Sequence, residues 1–178
     1  MATTKWVLDP SHSELQFKVK HMMISTVTGH FTQFEGSAET DAEDFGTAKA
    51  TLSVAADSIN TSNEQRDGHL KSPEFFDTAK FPQITFSISK IVKKNDEGNY
   101  EVLGDLTIRD TTKPVKFDTE FGGIIKDPWG NIRAGFTVSG KINRKEFGLV
   151  WHAVTETGGI VLADEVRLHG GLEFIKQA

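Results

Sequence analysis

The residues best suited to hold a metal or move a proton near neutral pH are six histidines, His12, His21, His30, His69, His152 and His169. No two of them fall two or four residues apart, the separations that place two rings on one face of a strand or helix. Cysteine is absent, which removes thiolate nucleophiles, disulfides and Cys-based metal sites. There is no Gly-x-Ser-x-Gly elbow, His-Glu-x-x-His pair, Walker loop or Gly-x-Gly-x-x-Gly turn. Asp127 with Asp164 or Glu165 can be drawn as a paired acid and base, but loop carboxylates of an acidic chain are ordinarily solvated. The residues therefore predict no catalytic group and no metal site.

What surrounds these residues bounds the function further. At 178 residues the chain is expected to form one domain over 1–178. A net charge of -5 gives no electrostatic footprint for nucleic acid, whose binding depends on clustered Lys and Arg. A hydrophobic share of 37% is too high for a disordered chain. No apolar run approaches the ~18 residues of a membrane span. The first nine residues, Met1 to Asp9, hold no signal-peptide core, so the expected location is the cytoplasm, or the periplasm if a leader has been removed. The aromatics are lopsided, with 13 Phe against 1 Tyr and 3 Trp, so almost all aromatic surface lacks a polar handle.

Alternation with a period of two positions these side chains. Leu15, Phe17 and Val19 share one face of Glu14–His21 while charges take the other, the pattern of a half-buried antiparallel strand. It recurs over 50–54, 84–89, 100–108, 115–121, 132–142 and 166–174, and the run Gly29–Phe34 makes eight strands. Phe31 and Phe34 have opposite parity, which requires either a bulge or one outward ring. Asn95–Asn99, Asp127–Asn131 and Thr157-Gly158-Gly159 are turn clusters. The segment 58–77 breaks the rhythm: a capping box at Thr61–Glu64 or Ser62–Gln65 starts a short helix, and Ser72-Pro73 stops it before one further turn at 74–77. Eight such strands make a sandwich or a barrel, and Gly104, Gly135, Gly140, Gly170 and Gly171 within strands favour barrel closure. Parity then turns Phe17, Val19, Phe86, Ile88, Leu106, Ile108, Phe117, Phe136 and Val138 inward, with Phe31 from the second strand. Such residues form either plain core or the lining of a ligand cavity.

At this point the residues resemble a known family. Trp6-x-x-Asp9-Pro10-x-His12-Ser13-x-Leu15-x-Phe17-x-Val19-x-His21 is similar to the opening of the YceI-like, polyisoprenoid-binding proteins. Gly29-x-Phe31-x-x-Phe34-x-Gly36 resembles their second strand. Asp57-Ser58-Ile59-x-Thr61 followed by Arg66-Asp67-x-His69-Leu70-x-Ser72-x-x-Phe75-Phe76-Asp77 resembles their helical block, a spacing that neither alternation nor capping generates. Phe81-Pro82-x-Ile84-x-Phe86, Gly104-x-Leu106-Thr107-Ile108, Thr112-Lys113-Pro114-Val115 and Ile142-x-Arg144-x-x-Phe147-Gly148 continue the match across the chain.

The resemblance implies an all-β fold, an eight-stranded antiparallel lipocalin-like barrel with one short helical insertion, often in a homodimer. It implies a polyisoprenoid amphiphile such as an isoprenoid quinone or its precursor as ligand, and it brings no catalytic residue and no cofactor. His21, Arg66, Arg144 and His152 are the polar residues expected near a headgroup, Arg66 with Asp67 alternatively tying the helix to the barrel. Two classes of function follow. One is non-catalytic carriage of the lipid; the other is an enzyme acting on a small apolar substrate in the same cavity.

Overall fold

A computed structural model describes residues 2–151 and 161–178. Its strands are β1 (Thr3–Leu8), β2 (Glu14–His21), β3 (Ser25–Phe31), β4 (Phe34–Asp41), β5 (Asp44–Ala55), β6 (Ile59–Asn60), β7 (Gln83–Lys93), β8 (Asn99–Ile108), β9 (Thr111–Lys126), β10 (Ile132–Asn143) and β11 (Leu162–Lys176). Eight of them, β1-β4-β5-β7-β8-β9-β10-β11, pair antiparallel in a ring that closes where Trp6, Val7 and Leu8 meet Lys176, Ile175 and Phe174. Closure leaves this ring without a free edge. The strands β2, β3 and β6 extend from the N-terminal half of β11, Val19 opposite Val166 and Glu14 opposite Gly171. Thus β1 and β2 lie end to end along β11.

The expected eight strands are therefore present with a different partition. The run 29–34 is not one strand: β3 ends at Phe31 and β4 begins at Phe34, and the break resets the register so that both rings turn inward. Strands β1 and β4 and the two-residue β6 carry no clear alternation in sequence.

The helix α1 (Glu64–Lys71) falls where expected, but neither Thr61 nor Ser62 caps it. Asn63 does, its side chain accepting from the Arg66 amide at 3.0 Å. Thr61 instead serves as an anchor. Its amide and hydroxyl both donate to Asp67, Arg66 Nε donates to its hydroxyl at 2.8 Å, and Arg66 Nη2 donates to its carbonyl at 2.7 Å. Arg66 and Asp67 thereby strap the helix to the end of β6.

Strand glycines make room for rings. A Cβ on Gly29 would stand 2.2 Å from Phe17 Cζ, and one on Gly140 would stand 2.8 Å from Phe117 Cδ1. Each ring lies across the glycine opposite it in the neighbouring strand, which holds both rings against the inner wall.

The seam is fastened at the lower end by Arg133 of β10. Its Nη1 donates to Asp9 at 2.8 Å and to Glu173 at 2.9 Å, and its Nε donates to Asp127 at 2.7 Å. One guanidinium thus joins the β1–β2 junction, the β9–β10 turn and β11. The Arg133 bond, with those from Ser11 and His12, holds the Asp9 carboxyl well below the usual carboxylate range. A depressed folded pKa gives stability that is complete above the ordinary value near ~3.9 and fades as pH falls toward the folded value. Acid melts of the parent and of Asp9→Asn should therefore differ in shape: the variant melts lower at neutral pH, and the gap narrows below about pH 4. A constant gap down to the acid limit would show that the network contributes nothing through this charge.

Candidate functional site

The interior of the barrel holds two apolar lobes. The lower, about 230 Å³, is walled by Phe86, Ile88, Phe117, Phe136 and Val138 among the sequence candidates, together with Phe45, Tyr100 and Thr119. The upper, about 260 Å³, is walled by Val19, His21, Ile108 and Arg144, together with α1 and the Phe75-Phe76 turn. Phe17, Phe31, Ile84, Leu106 and Leu168 belong to both walls. The lobes thus adjoin across these side chains, and their volumes together fall in the ~300–1,000 Å³ range of small-molecule sites.

The lower end is plugged. Trp6 and Ala134 are fully buried, Ala38 and Phe45 nearly so, and Phe121 and Phe136 pack on them. Trp6 donates its indole N–H to Thr40 Oγ1 at 3.0 Å, which satisfies the one polar atom of the largest buried side chain. Phe136 meets Phe45 at 4.8 Å and Phe121 at 5.2 Å, ring centre to ring centre, and forms the floor on which the lower lobe rests.

All twelve residues picked out from the sequence border one lobe or the other, but they do not share a role. Arg144, 2% exposed, directs its donors at the backbone. Nε bonds the Ala163 carbonyl at 2.9 Å, Nη1 the carbonyls of Leu149 and Trp151 at 2.6 and 2.8 Å, and Nη2 that of Leu162 at 3.2 Å. Burial pushes its pKa down and the nearby Asp164 carboxylate opposes that; the group starts so high that it stays cationic at any ordinary pH. Arg144 is the clamp that holds residues 149–151 against 162–163. Arg66 is engaged with Thr61, as described. His69 pairs with Glu74 and presents its ring edge-on to Phe75 and Trp151 at 5.0 and 5.2 Å. His152 and the 157–159 turn cluster lie outside the described residues.

Several wall residues escaped the sequence reading. Leu168, Leu172 and Phe174 were available from the same parity argument on β11. Phe45 was not, because β5 carries no alternation before residue 48. Phe75 and Phe76 flank a helix rather than a strand, and only their adjacency signals burial. Thr119 sits in the inward run Val115, Phe117, Thr119, Phe121, and its buried Oγ1 has no hydrogen-bond partner among the described residues. Among those residues no three His, Asp or Glu side chains gather in a metal-binding arrangement, and no helix is long and apolar enough to cross a membrane.

A closed antiparallel ring of eight strands defines the class of small β-barrels, whose interior is just wide enough for packed side chains or one small ligand. The comparisons with known proteins agree. A YceI-like domain model matches residues 6–174, and the chain belongs to that family. A UPF0312 protein of Staphylococcus aureus strain USA300 is 43% identical over 172 residues, covering 96% of this chain and 97% of its own. The crystal structure of the Campylobacter jejuni YceI protein superposes with a TM-score of 0.77 at 32% identity, covering 90% of this chain and 91% of that one. Two more distant structures share the fold. BcnA of Burkholderia cenocepacia gives a TM-score of 0.80 at 21% identity over 93% of this chain and 98% of its own. A polyisoprenoid-binding domain of Saccharophagus degradans gives 0.71 at 16% identity over 97% and 98%.

Proposed function

We propose that this barrel is a non-catalytic binder and carrier of a polyisoprenoid amphiphile, an isoprenoid quinone or its precursor, with the tail lying through both lobes. The observation that carries the reading is the stacking of two apolar lobes in one barrel interior, set on either side of Phe17, Phe31, Ile84, Leu106 and Leu168, an arrangement whose length suits an elongated apolar chain that parts those side chains better than a compact one. Family membership and the name of the Saccharophagus domain support it. So does the chemistry of the upper lobe, where Arg66 is engaged by Thr61, His69 by Glu74 and Arg144 by backbone carbonyls. The reading includes action in the cytoplasm as a homodimer, which fractionation and sedimentation would check.

Burying ~15 to 20 tail carbons at roughly 0.8 kcal/mol each gives about 12 to 16 kcal/mol, from which the entropy of immobilising the tail is subtracted. Affinity then needs no ion pair. In a titration with isoprenoids of increasing length, each added buried methylene should strengthen binding by up to about fourfold until both lobes are full, after which the gain stops. High salt and EDTA should leave the curve unchanged. Affinity that ignores tail length but collapses in salt or EDTA would replace the tail site with a headgroup or metal site.

A further inference from the structure

The hairpin between β2 and β3 turns on Met22, Met23 and Ile24, which are 41%, 61% and 82% exposed. Three consecutive large apolar side chains at a hairpin tip oppose the usual chemistry of such turns. The backbone makes the choice more costly. Met22 and Met23 have φ of 50° and 58°, in the left-handed region where Gly, Asn or Asp would relieve strain. Folding alone would favour those residues, so the apolar surface has another use.

Charge and position indicate which use. From Leu15 to Phe34 there is no Asp or Glu, in a chain that carries 25 of them, while Lys18 and Lys20 on the same hairpin are exposed. Lys20 lies two residues from Met22, about 7 Å along the strand, at the depth of lipid phosphates if the tip enters the acyl region. Val19, His21 and Val27 of this hairpin line the upper lobe, and the Met22 amide donates to the Val161 carbonyl at 2.7 Å, a residue of the same wall. The opposite end of the interior is closed by the Trp6 plug. The apolar tip therefore stands beside the lobe not closed by that plug.

We propose that the Met22–Ile24 tip docks on an anionic lipid bilayer, its side chains among the acyl chains and Lys18 and Lys20 at the phosphates, so that the upper lobe loads from the membrane. This inference rests on the isoprenoid reading above and extends it from ligand to donor surface. The acidic groups beside the hairpin, Asp164 and Glu165 on β11, are paired with Lys145 and with Lys141 and Arg167 respectively, and acidic groups farther than about 8 Å are screened at physiological salt.

The test is flotation of the full chain with phosphatidylcholine vesicles containing phosphatidylglycerol, beside solution titration of a soluble short isoprenoid. Met23→Ser with Ile24→Ser should cut vesicle binding by about ten-fold or more and leave the melting temperature and the solution affinity unchanged. Ile125→Ser with Trp129→Ser is the control, since those residues are 67% and 80% exposed, at the end of β9 and on the β9–β10 turn, at the plugged end; it should leave flotation intact. A parent chain that binds isoprenoid in solution but never floats would overturn the docking and spare the ligand reading. The same holds if the control variant abolishes flotation, or if the tip variant changes the sedimenting mass without changing flotation, which would make the tip a subunit contact. Failure of the solution titration itself would remove the ligand reading.

Discussion

Phe136→Asp is expected to lower the melting temperature by roughly 10 °C or more and to abolish isoprenoid binding. The ring stands in the floor of the lower lobe against Phe45, Phe121 and Phe174. Deleting a packed Phe costs on the order of 3–5 kcal/mol. A carboxylate put in its place, among the rings of Phe45, Phe121 and Phe174, adds several kcal/mol more or takes up a proton. Phe136→Leu keeps the lobe apolar and should lose under about 1.5 kcal/mol, with ligand retained. Thermal melts and a binding titration on the two variants separate polarity from volume. Unchanged affinity in Phe136→Asp would take Phe136 out of the binding wall.

Arg144→Met is the second large effect, expected at about 3–5 kcal/mol of stability. It would leave the carbonyls of Leu149, Trp151, Leu162 and Ala163 without their shared donor, and each buried carbonyl so stranded costs about 1–3 kcal/mol if nothing replaces the bond. Arg144→Lys should not rescue, because a single ammonium cannot reproduce the planar fork that reaches both segments. Affinity for long tails should fall as the upper lobe loses its wall, while short tails that fill only the lower lobe still bind. A stable Arg144→Met protein with lost affinity would instead make Arg144 a direct ligand contact, the role its place in the sequence motif suggested.

The long strands were legible because one face of each is apolar and the other polar, as in Leu15-Gln16-Phe17-Lys18-Val19. Strand β4 was hidden for the opposite reason: after Phe34 its inward positions are Gly36 beside Leu8 and Leu52, Ala38 packed with Trp6 and Phe45, and Thr40 bonded to Trp6, small or polar residues without an apolar signature. Strand β1 was hidden by shortness, two inward residues, Trp6 and Leu8, being too few to declare a period. Much of the cavity wall followed from parity, since an inward residue of a closed barrel must face the interior. The polar residues did not follow. Whether Arg144 faces a ligand or four carbonyls depends on loops that the strand pattern does not describe, and the Arg133–Asp9 bond spans 124 residues, a contact that only barrel closure creates.

The central claim is that the interior carries an isoprenoid lipid, and mass spectrometry of an organic extract of the purified chain addresses it directly. The account predicts a co-purifying isoprenoid, near one lipid per chain in the parent and absent from folded Phe136→Asp protein. An extract free of isoprenoid, from a chain that also takes up none when isoprenoid is supplied, would contradict it.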